Sequence, residues 1–156
     1  MRCEVASFVD RLGIIKRIDD EFGLMDNYGG DGLTKLDVVE SFSYKSIMVK
    51  AMSDSNTLLG VAILEMVQDN RTASIHFAMF ETFNIKKAFA LMLDLVGHRF
   101  DIIYAYIKPD RSDIASILKI LNFKLEQPDQ GWIYGWLEKE TETKKTCTIS
   151  SCDSAR

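Results

Sequence analysis

Three apolar segments separated by short turns constrain the fold of this chain more than any other feature. The segments cover 46–53, 58–67 and 72–80 and are rich in branched and large apolar residues. The sequences between them, DSNT and QDNR, are typical of turns. The middle segment is apolar at nearly every position, as expected of a strand that is covered on both faces. We therefore predict an antiparallel three-stranded meander at the centre of a sheet, with helices on each side.

Helical patterns precede this meander. Apolar residues recur every three or four positions over 5–22, which predicts an amphipathic helix, and Gly23 supplies the left-handed residue that commonly closes one. The sequence DNYGGDG at 26–32 predicts a flexible loop. A short helix is expected next, with Thr34 as its cap and Asp37 three residues later in a capping box.

The second half of the chain switches period twice. The segment 85–100 is rich in good helix formers and too long for a strand. A strand is predicted over 102–110, followed by a helix over 112–123 with Ser112 as its N-cap. Because a strand–helix–strand unit lies between antiparallel pieces, we predict a mixed, mostly antiparallel central sheet flanked by helices on both faces, in the α/β (α+β) class.

A hairpin is expected to close the sheet, with strands KLEQ and WIYGWLEK around the turn PDQG. Trp132, Tyr134 and Trp136 alternate along its second strand and therefore share one face. We interpret this face as packed in the core; a partner-binding surface is the alternative.

We divide the 156 residues into one domain, 1–139, and a polar tail, 140–156. The tail has one branched aliphatic residue and no aromatic residue, so we expect it to be mobile. The cysteines are Cys3, Cys147 and Cys152, and no histidine cluster lies near them. We therefore expect reduced thiols, and no metal site.

Charge and hydropathy exclude several classes of function. The net charge is −4, from 19 basic and 23 acidic residues, which argues against nucleic-acid binding as the main task. No run of about 18 apolar residues is present, so we expect no membrane span. Glu4 and Asp10 interrupt the stretch where a signal peptide would be apolar, so we expect the protein to stay in a cytosol.

The order of the elements, the sequence LLGVAIL with Gly60, and the pair Asn122-Phe123 resemble the GNAT family of acetyl-CoA N-acyltransferases. The resemblance covers about 5–138. In that family the closing helix usually reads Asn, eleven residues, then Phe, with Gly just before the Phe. Here Arg111 stands in place of the Asn and Asn122 in place of the Gly, so the length of the pattern is preserved and its chemistry is altered.

The resemblance implies a pyrophosphate loop between the third meander strand and the next helix. The family pattern there is Arg or Gln, two residues, Gly, one residue, then Gly or Ala, whose bare amides bind phosphate. This chain instead begins the stretch with Glu81 and has neither glycine. We therefore favour a plain helix start and expect no cofactor. If acetyl-CoA does bind, the candidate contacts are Ala78, Met79, Phe80, Asn84, Ile85, Lys86 and Lys87.

The catalytic groups that the resemblance implies are altered as well. The family often places a Tyr five residues before the closing Phe as the general acid, and this chain has Leu118 there. Candidate bases are Glu65 and His76. A solvated charge is the simpler interpretation of Glu65, and a hydrogen-bonded core residue is the simpler interpretation of His76. Tyr104 is a candidate acid together with Tyr106, although aromatic packing would also explain both.

A preserved scaffold with altered chemistry resembles the GNAT-like proteins of tailed phages that serve in head assembly or inside the virion. The stretch 102–126 and the sequence IHF at 75–77 carry this resemblance. Our main hypothesis is a noncatalytic assembly protein with protein partners, in the host cytoplasm or in a virion. The alternative is a divergent N-acetyltransferase acting on an amine, with acetyl-CoA in an opening between the third meander strand and the strand at 102–109.

Overall fold

The computed structural model describes residues 1–67, 69–128 and 131–139, and a sheet of seven strands organises this part of the chain. The strands are β1 (Arg2–Val5), β2 (Ser46–Met52), β3 (Leu58–Val67), β4 (Thr72–Met79), β5 (Ile102–Ile107), β6 (Lys124–Glu126) and β7 (Ile133–Glu138). The helices are α1 (Phe8–Phe22), α2 (Leu24–Tyr28), α3 (Lys35–Tyr44), α4 (Ile85–Val96) and α5 (Ser112–Ile120), and a 3-10 turn, Gly97–Arg99, follows α4.

The strand order is β1-β2-β3-β4-β5-β7-β6, and every neighbouring pair is antiparallel except β4 and β5, which are parallel. The crossover between the parallel strands runs through α4. This confirms the mixed, mostly antiparallel sheet. The predicted tail at 140–156, with Cys147 and Cys152, lies outside the described residues.

Two hydrophobic cores lie on opposite faces of the sheet. Helices α4 and α5 cover one face, where Met92 and Leu118 are buried among side chains of β2 to β5. Helices α1, α2 and α3 cover the other face, where Ile18 and Phe42 pack on β2, β3 and β4. The centre of β3 is buried at consecutive positions from residues 60 to 64. Helices on both faces and a doubly covered middle strand are thus confirmed.

The N-terminus differs from the prediction of a helix from residue 5. Val5 pairs with Val49, so this segment forms the edge strand β1. Helix α1 begins only after Ser7, whose hydroxyl accepts from the Asp10 amide while the Asp10 carboxylate accepts from the Ser7 amide. This capping box fixes the helix start at Phe8, because it satisfies amides that would otherwise lack partners.

The segment predicted as a flexible loop at 26–32 is helical over its first three residues, because α2 extends from Leu24 to Tyr28. Leu24 is fully buried, and its amide donates to the Asp19 carboxylate. Burial of Leu24 therefore orders a sequence whose local composition favours a loop. Gly23, at φ 76°, ends α1 as predicted, and the capping box that begins α3 is also confirmed.

The closing helix differs from the prediction at both ends. Arg111 occupies the N-cap position of α5, so Ser112 is its first helical residue and not its cap. The helix ends at Ile120, and Asn122 follows with φ 68°. This left-handed conformation favours Gly and is tolerated by Asn. The replacement of the family's Gly by Asn122 therefore keeps the turn that buries Phe123.

The prediction that Trp132, Tyr134 and Trp136 pack in the core is wrong. Ile133 and Gly135 face the core, whereas Tyr134 and Trp136 are half-buried on the opposite side and Trp132 is 53% exposed. Alternation along β7 places Tyr134 and Trp136 on one face, but α1, α2 and α3 do not extend their core to that part of the sheet. In the described ranges, no helix is long and apolar enough to cross a membrane.

Candidate functional site

Strands β4 and β5 pair over only three positions and then separate. The parallel ladder runs from Thr72 opposite Ile102 to Ser74 opposite Tyr104. Beyond it, β4 continues to pair with β3 and β5 continues to pair with β7. The two central strands therefore leave a gap, which we call the β4–β5 opening. A cleft of about 370 Å³ occupies it, within the range of small-molecule sites.

Backbone groups of β4 face this opening. The amides of Phe80 and Glu81 donate to the Leu59 carbonyl of β3, at 2.9 and 3.0 Å. Because hydrogen-bonding direction alternates along an antiparallel strand, Ala78 also faces β3, and the Met79 amide faces the opening. Of the three residues predicted as backbone contacts to a cofactor, Met79 is the one whose amide points into the gap. Cofactor contact itself stays a prediction.

Tyr28 closes one side of the opening, and the sequence did not single it out. Its hydroxyl donates to the Phe77 carbonyl. This carbonyl faces the gap because Phe77 and Met79 are two positions apart on β4 and their backbone groups point the same way. Burial raises the pKa of Tyr28 to about 12, so the hydroxyl remains a hydrogen-bond donor at neutral pH. Tyr28 lies in the segment assigned to a loop, where an aromatic residue between polar neighbours was the available signal.

The start of α4 lies just beyond the end of β4. The Asn84 side chain caps this helix by accepting from the Lys87 amide at 3.0 Å. The amides of Ile85 and Lys86 have no hydrogen-bond partner among the described residues. Free amides at a helix start attract anions, and the exposed side chains of Lys86 and Lys87 add positive charge. Glu81, also exposed, adds negative charge.

Gly60 on β3 has a packing role beside this loop. A Cβ atom at that position would lie 2.9 Å from the Phe83 ring and 2.9 Å from the Ala78 carbonyl. The absence of a side chain at Gly60 therefore lets Phe83 pack onto the sheet. This contact holds the stretch between β4 and α4 against β3.

The two candidate bases, Glu65 and His76, are brought together. His76 lies opposite Ile63 and Glu65 lies opposite Ser74, so the two side chains are diagonal neighbours on one face of the sheet. His76 Nε2 lies 3.2 Å from Glu65 Oε2, and both side chains are half-buried. The hydrogen bond and partial burial of His76 agree with the hydrogen-bonded residue that the sequence left open, whereas Glu65 is paired and is not a simple solvated charge.

Electrostatics assigns the proton in this pair. The hydrogen bond with His76 is the largest influence that lowers the pKa of the Glu65 carboxyl; partial burial opposes it, and a hydrogen bond from Ser41 assists it. An ionised Glu65 can only accept, so Nε2 of His76 is the donor in this hydrogen bond. Nδ1 is then the ring atom that can accept a proton. The ring itself packs against Tyr28 and Phe42, with centroid distances of 5.9 and 5.5 Å.

The tyrosines of β5 occupy different positions with respect to the cleft. Tyr104 sits at the last paired position of β5 and does not line the cleft. Partial burial is the main cause that raises the pKa of Tyr104. Tyr106, 61% exposed, lines the cleft together with His76. Leu118 is fully buried, so the family's general-acid position supplies no proton donor here.

Basic side chains lie at the other wall of the cleft and were not predicted as site residues. Lys108 and Arg111 line it beside Trp132. The Arg111 guanidinium forms a two-point hydrogen bond with Asp113, at 3.0 and 2.9 Å. In the sequence, both basic residues follow the end of β5 at Ile107 and lie on either side of Pro109. In the described residues, no three His, Cys, Asp or Glu side chains come together as metal ligands would.

No protein-family model matches the sequence, and no curated protein does either. Solved structures do match. A proposed acetyltransferase from Acinetobacter baylyi is 14% identical over 91% of this chain and 94% of its own, with a TM-score of 0.64. Aminoglycoside acetyltransferase AAC(6')-Ib in complex with coenzyme A is 11% identical over 88% and 94%, with a TM-score of 0.59.

Spermidine N-acetyltransferase from Vibrio cholerae, in complex with coenzyme A and spermine, is 11% identical over 87% of this chain and 94% of its own, with a TM-score of 0.60. At such identities the likeness establishes the fold alone. The chain therefore has the GNAT fold, as the resemblance in its sequence implied. The likeness to phage virion proteins stays a prediction.

Proposed function

We propose that this protein is an acetyl-CoA-dependent N-acetyltransferase that acts on an amine. The observation that carries the proposal is the β4–β5 opening, which follows the last paired position at Ser74 and Tyr104. It offers a backbone donor at Met79 and a cleft large enough for an extended ligand arm. Structures of the same fold that contain coenzyme A support this assignment.

The residues of the opening fit the pantetheine arm of acetyl-CoA. That arm carries amide groups along a narrow chain, which suits a strand edge with free amides. The Met79 amide would donate to it, while Ala105 and Ile107 supply an apolar opposite wall. The arm would take the place of the strand partner that β5 does not provide beyond Tyr104.

The start of α4 could bind the diphosphate of acetyl-CoA, although its residues differ from the family's pattern. The free amides of Ile85 and Lys86 and the side chain of Lys87 would bind negatively charged oxygens. The family's glycines are absent, so close approach is limited to these helix-start amides. The exposed Glu81 carboxylate repels the diphosphate and therefore weakens its binding.

The pair of Glu65 and His76 would supply acid–base chemistry beside the amine that accepts the acetyl group. Bound acetyl-CoA would supply the activated acetyl group that the amine attacks. His76 Nδ1 accepts the proton that the amine loses, and Glu65 holds the ring through Nε2 and stabilises the charge that develops on it. As the new C–N bond forms, the C–S bond would break and coenzyme A would leave as a thiolate. Tyr106, whose ring lines the cleft, is the side chain placed to donate a proton to that thiolate, and water reaches the same exposed position.

The test is amine-dependent release of free thiol from acetyl-CoA, measured with spermidine, kanamycin and a peptide with a free N-terminus. We expect turnover with at least one of the three amines, above the hydrolysis measured without an amine. Absence of turnover with all three, in a protein shown by calorimetry to bind acetyl-CoA, would contradict the catalytic part of the proposal.

A noncatalytic assembly protein on the same scaffold is the second candidate. The buried Leu118 in the family's acid position and the exposed Glu81 beside α4 favour it. Under this candidate, acetyl-CoA does not bind at millimolar concentration, and virions from a phage source contain the protein. Acetyl-CoA binding therefore separates the two candidates.

A further inference from the structure

One face of β5, β6 and β7 is a surface of aromatic rings. Odd-numbered residues of β5 face α4 and α5 and are buried, while even-numbered residues point the other way. The core beneath α1, α2 and α3 includes no residue of these three strands, and on this side Tyr106 is exposed while Tyr104, Tyr134 and Trp136 are half-buried. We call it the aromatic face; its members are Tyr104, Tyr106, Tyr134 and Trp136.

The rings of the aromatic face are close enough to act together. Tyr134 stacks on Trp136 with centroids 5.4 Å apart and an interplanar angle of 25°. Tyr106 lies 5.2 Å from Tyr134, and Tyr104 lies 5.7 Å from Tyr106. All four side chains remain at least partly accessible to solvent. A contiguous accessible surface of large rings is typical of a binding site.

Charge around the rings selects the class of ligand. Glu126 is the strand partner of Tyr134, and Glu65 lies in the same row as Ser74 and Tyr104. Two lysines lie near the rings: Lys124, the strand partner of Trp136, is engaged by Glu138 at 3.5 Å, and Lys108 lines the cleft beside Tyr106 at the edge of the surface. Carboxylates beside the negative faces of aromatic rings attract an organic cation and repel a phosphate.

The aromatic face is continuous with the proposed catalytic site. Tyr106 belongs to the face and also lines the cleft that contains His76. We propose that the aromatic face binds a second ammonium group of the acceptor while its reacting amine lies at His76. The acceptor is then a molecule with two or more amines. The position of the reacting amine rests on the proposed acetyl transfer, whereas cation binding by the rings does not.

The two tryptophans of the chain allow a direct binding test. The variant Trp132→Phe leaves Trp136, in the aromatic face, as the sole tryptophan. Its fluorescence is titrated with spermidine, with n-butylamine as the single-charge control and with maltose as the neutral control. We expect saturable quenching by spermidine that weakens with salt, at least about tenfold weaker binding of n-butylamine, and no quenching by maltose.

Two variants of Tyr134 separate the effect of its aromatic ring from the effect of its size. In the Trp132→Phe background, Tyr134→Leu removes a π face and keeps an apolar side chain, whereas Tyr134→Phe keeps the face. We expect Tyr134→Leu to weaken spermidine binding about two- to fivefold and Tyr134→Phe to retain it. The ratio of kcat/KM for spermidine to kcat/KM for n-butylamine should fall by the same factor in Tyr134→Leu.

These outcomes distinguish this inference from the proposed function. If no amine is acetylated and acetyl-CoA does not bind, but spermidine still quenches Trp136, the cation site stands and the catalytic assignment fails. If maltose quenches as strongly as spermidine, or Tyr134→Leu leaves spermidine binding unchanged, the inference is overturned. A dimer that Tyr134→Leu dissociates, seen by sedimentation, would also overturn it, because the face would then be an interface between two copies.

Discussion

Glu65 Oε2 lies 3.2 Å from His76 Nε2, across the ladder between the second and third strands of the meander. The carboxylate fixes which ring nitrogen carries the proton and leaves the other free to accept one. Because His76 also lines the cleft in the β4–β5 opening, the pair is placed to act in the proposed acetyl transfer.

The first prediction concerns the rate of acetyl transfer. His76→Ala should lower kcat about 100-fold, since general-base catalysis is worth at least that much. Glu65→Gln should also lower kcat, because it removes the carboxylate that orients the ring and stabilises its charged form. His98→Ala is the matched control, since His98 is exposed on the turn after α4. Equal kcat values for His76→Ala and His98→Ala would contradict the assignment of His76 as the base.

The second prediction concerns stability at acidic pH. The pKa of Glu65 is lower in the folded protein than in the unfolded chain, so its contribution to stability is present above the unfolded value of about 4.3 and is lost as pH falls through the folded value. The melting temperature of Glu65→Gln should therefore lie below that of the wild type at pH 6, and the two should converge below pH 4. A difference that stays constant from pH 6 to pH 3 would refute the pairing.

The third prediction tests the hydroxyl that closes the opening. Tyr28→Phe removes the hydrogen bond to the Phe77 carbonyl, so the free energy of unfolding should fall by about 1 kcal/mol. For a domain of this size, that lowers the melting temperature by about 3 °C. Tyr44→Phe serves as the control, because Tyr44 is 71% exposed. Equal melting temperatures for the two variants would show that the Tyr28 hydroxyl stabilises nothing.

The fourth prediction concerns the altered phosphate loop. Glu81→Gln should tighten acetyl-CoA binding about two- to fivefold at low salt, because it removes a negative charge near the start of α4. Lys87→Gln should weaken binding by a similar factor. Glu40→Gln, an exposed change on α3, should have no effect. Identical dissociation constants for Glu81→Gln and Glu40→Gln, measured by calorimetry, would show that the diphosphate does not bind near the start of α4.

Local pattern predicted most of the fold because each element carried its own signal. The meander was readable from its turns and from the apolar run around Gly60, and α3 from its capping box at Thr34 and Asp37. Strand β1 was missed because its pairing with β2 is a long-range contact that four residues cannot encode. Helix α2 was missed because burial of Leu24 overrides a composition that favours a loop.

The candidate site was predictable only in part, for a related reason. Glu65 and His76 were each recognised by residue type, but their pairing depends on the register of two strands, which no local pattern fixes. Tyr134 and Trp136 were correctly placed on one face of a strand. Whether that face is covered depends on how far α1, α2 and α3 extend over the sheet, which the sequence of β7 does not determine.

The most direct test of the central claim is a calorimetric titration of the protein with acetyl-CoA. The account predicts binding at one site per chain. At a ligand concentration 100 times the dissociation constant, binding stabilises the native state by about 2.7 kcal/mol and raises the melting temperature by about 8 °C. Absence of both heat and a melting shift at millimolar acetyl-CoA would contradict the account, because a β4–β5 opening that does not admit the ligand cannot carry the proposed chemistry.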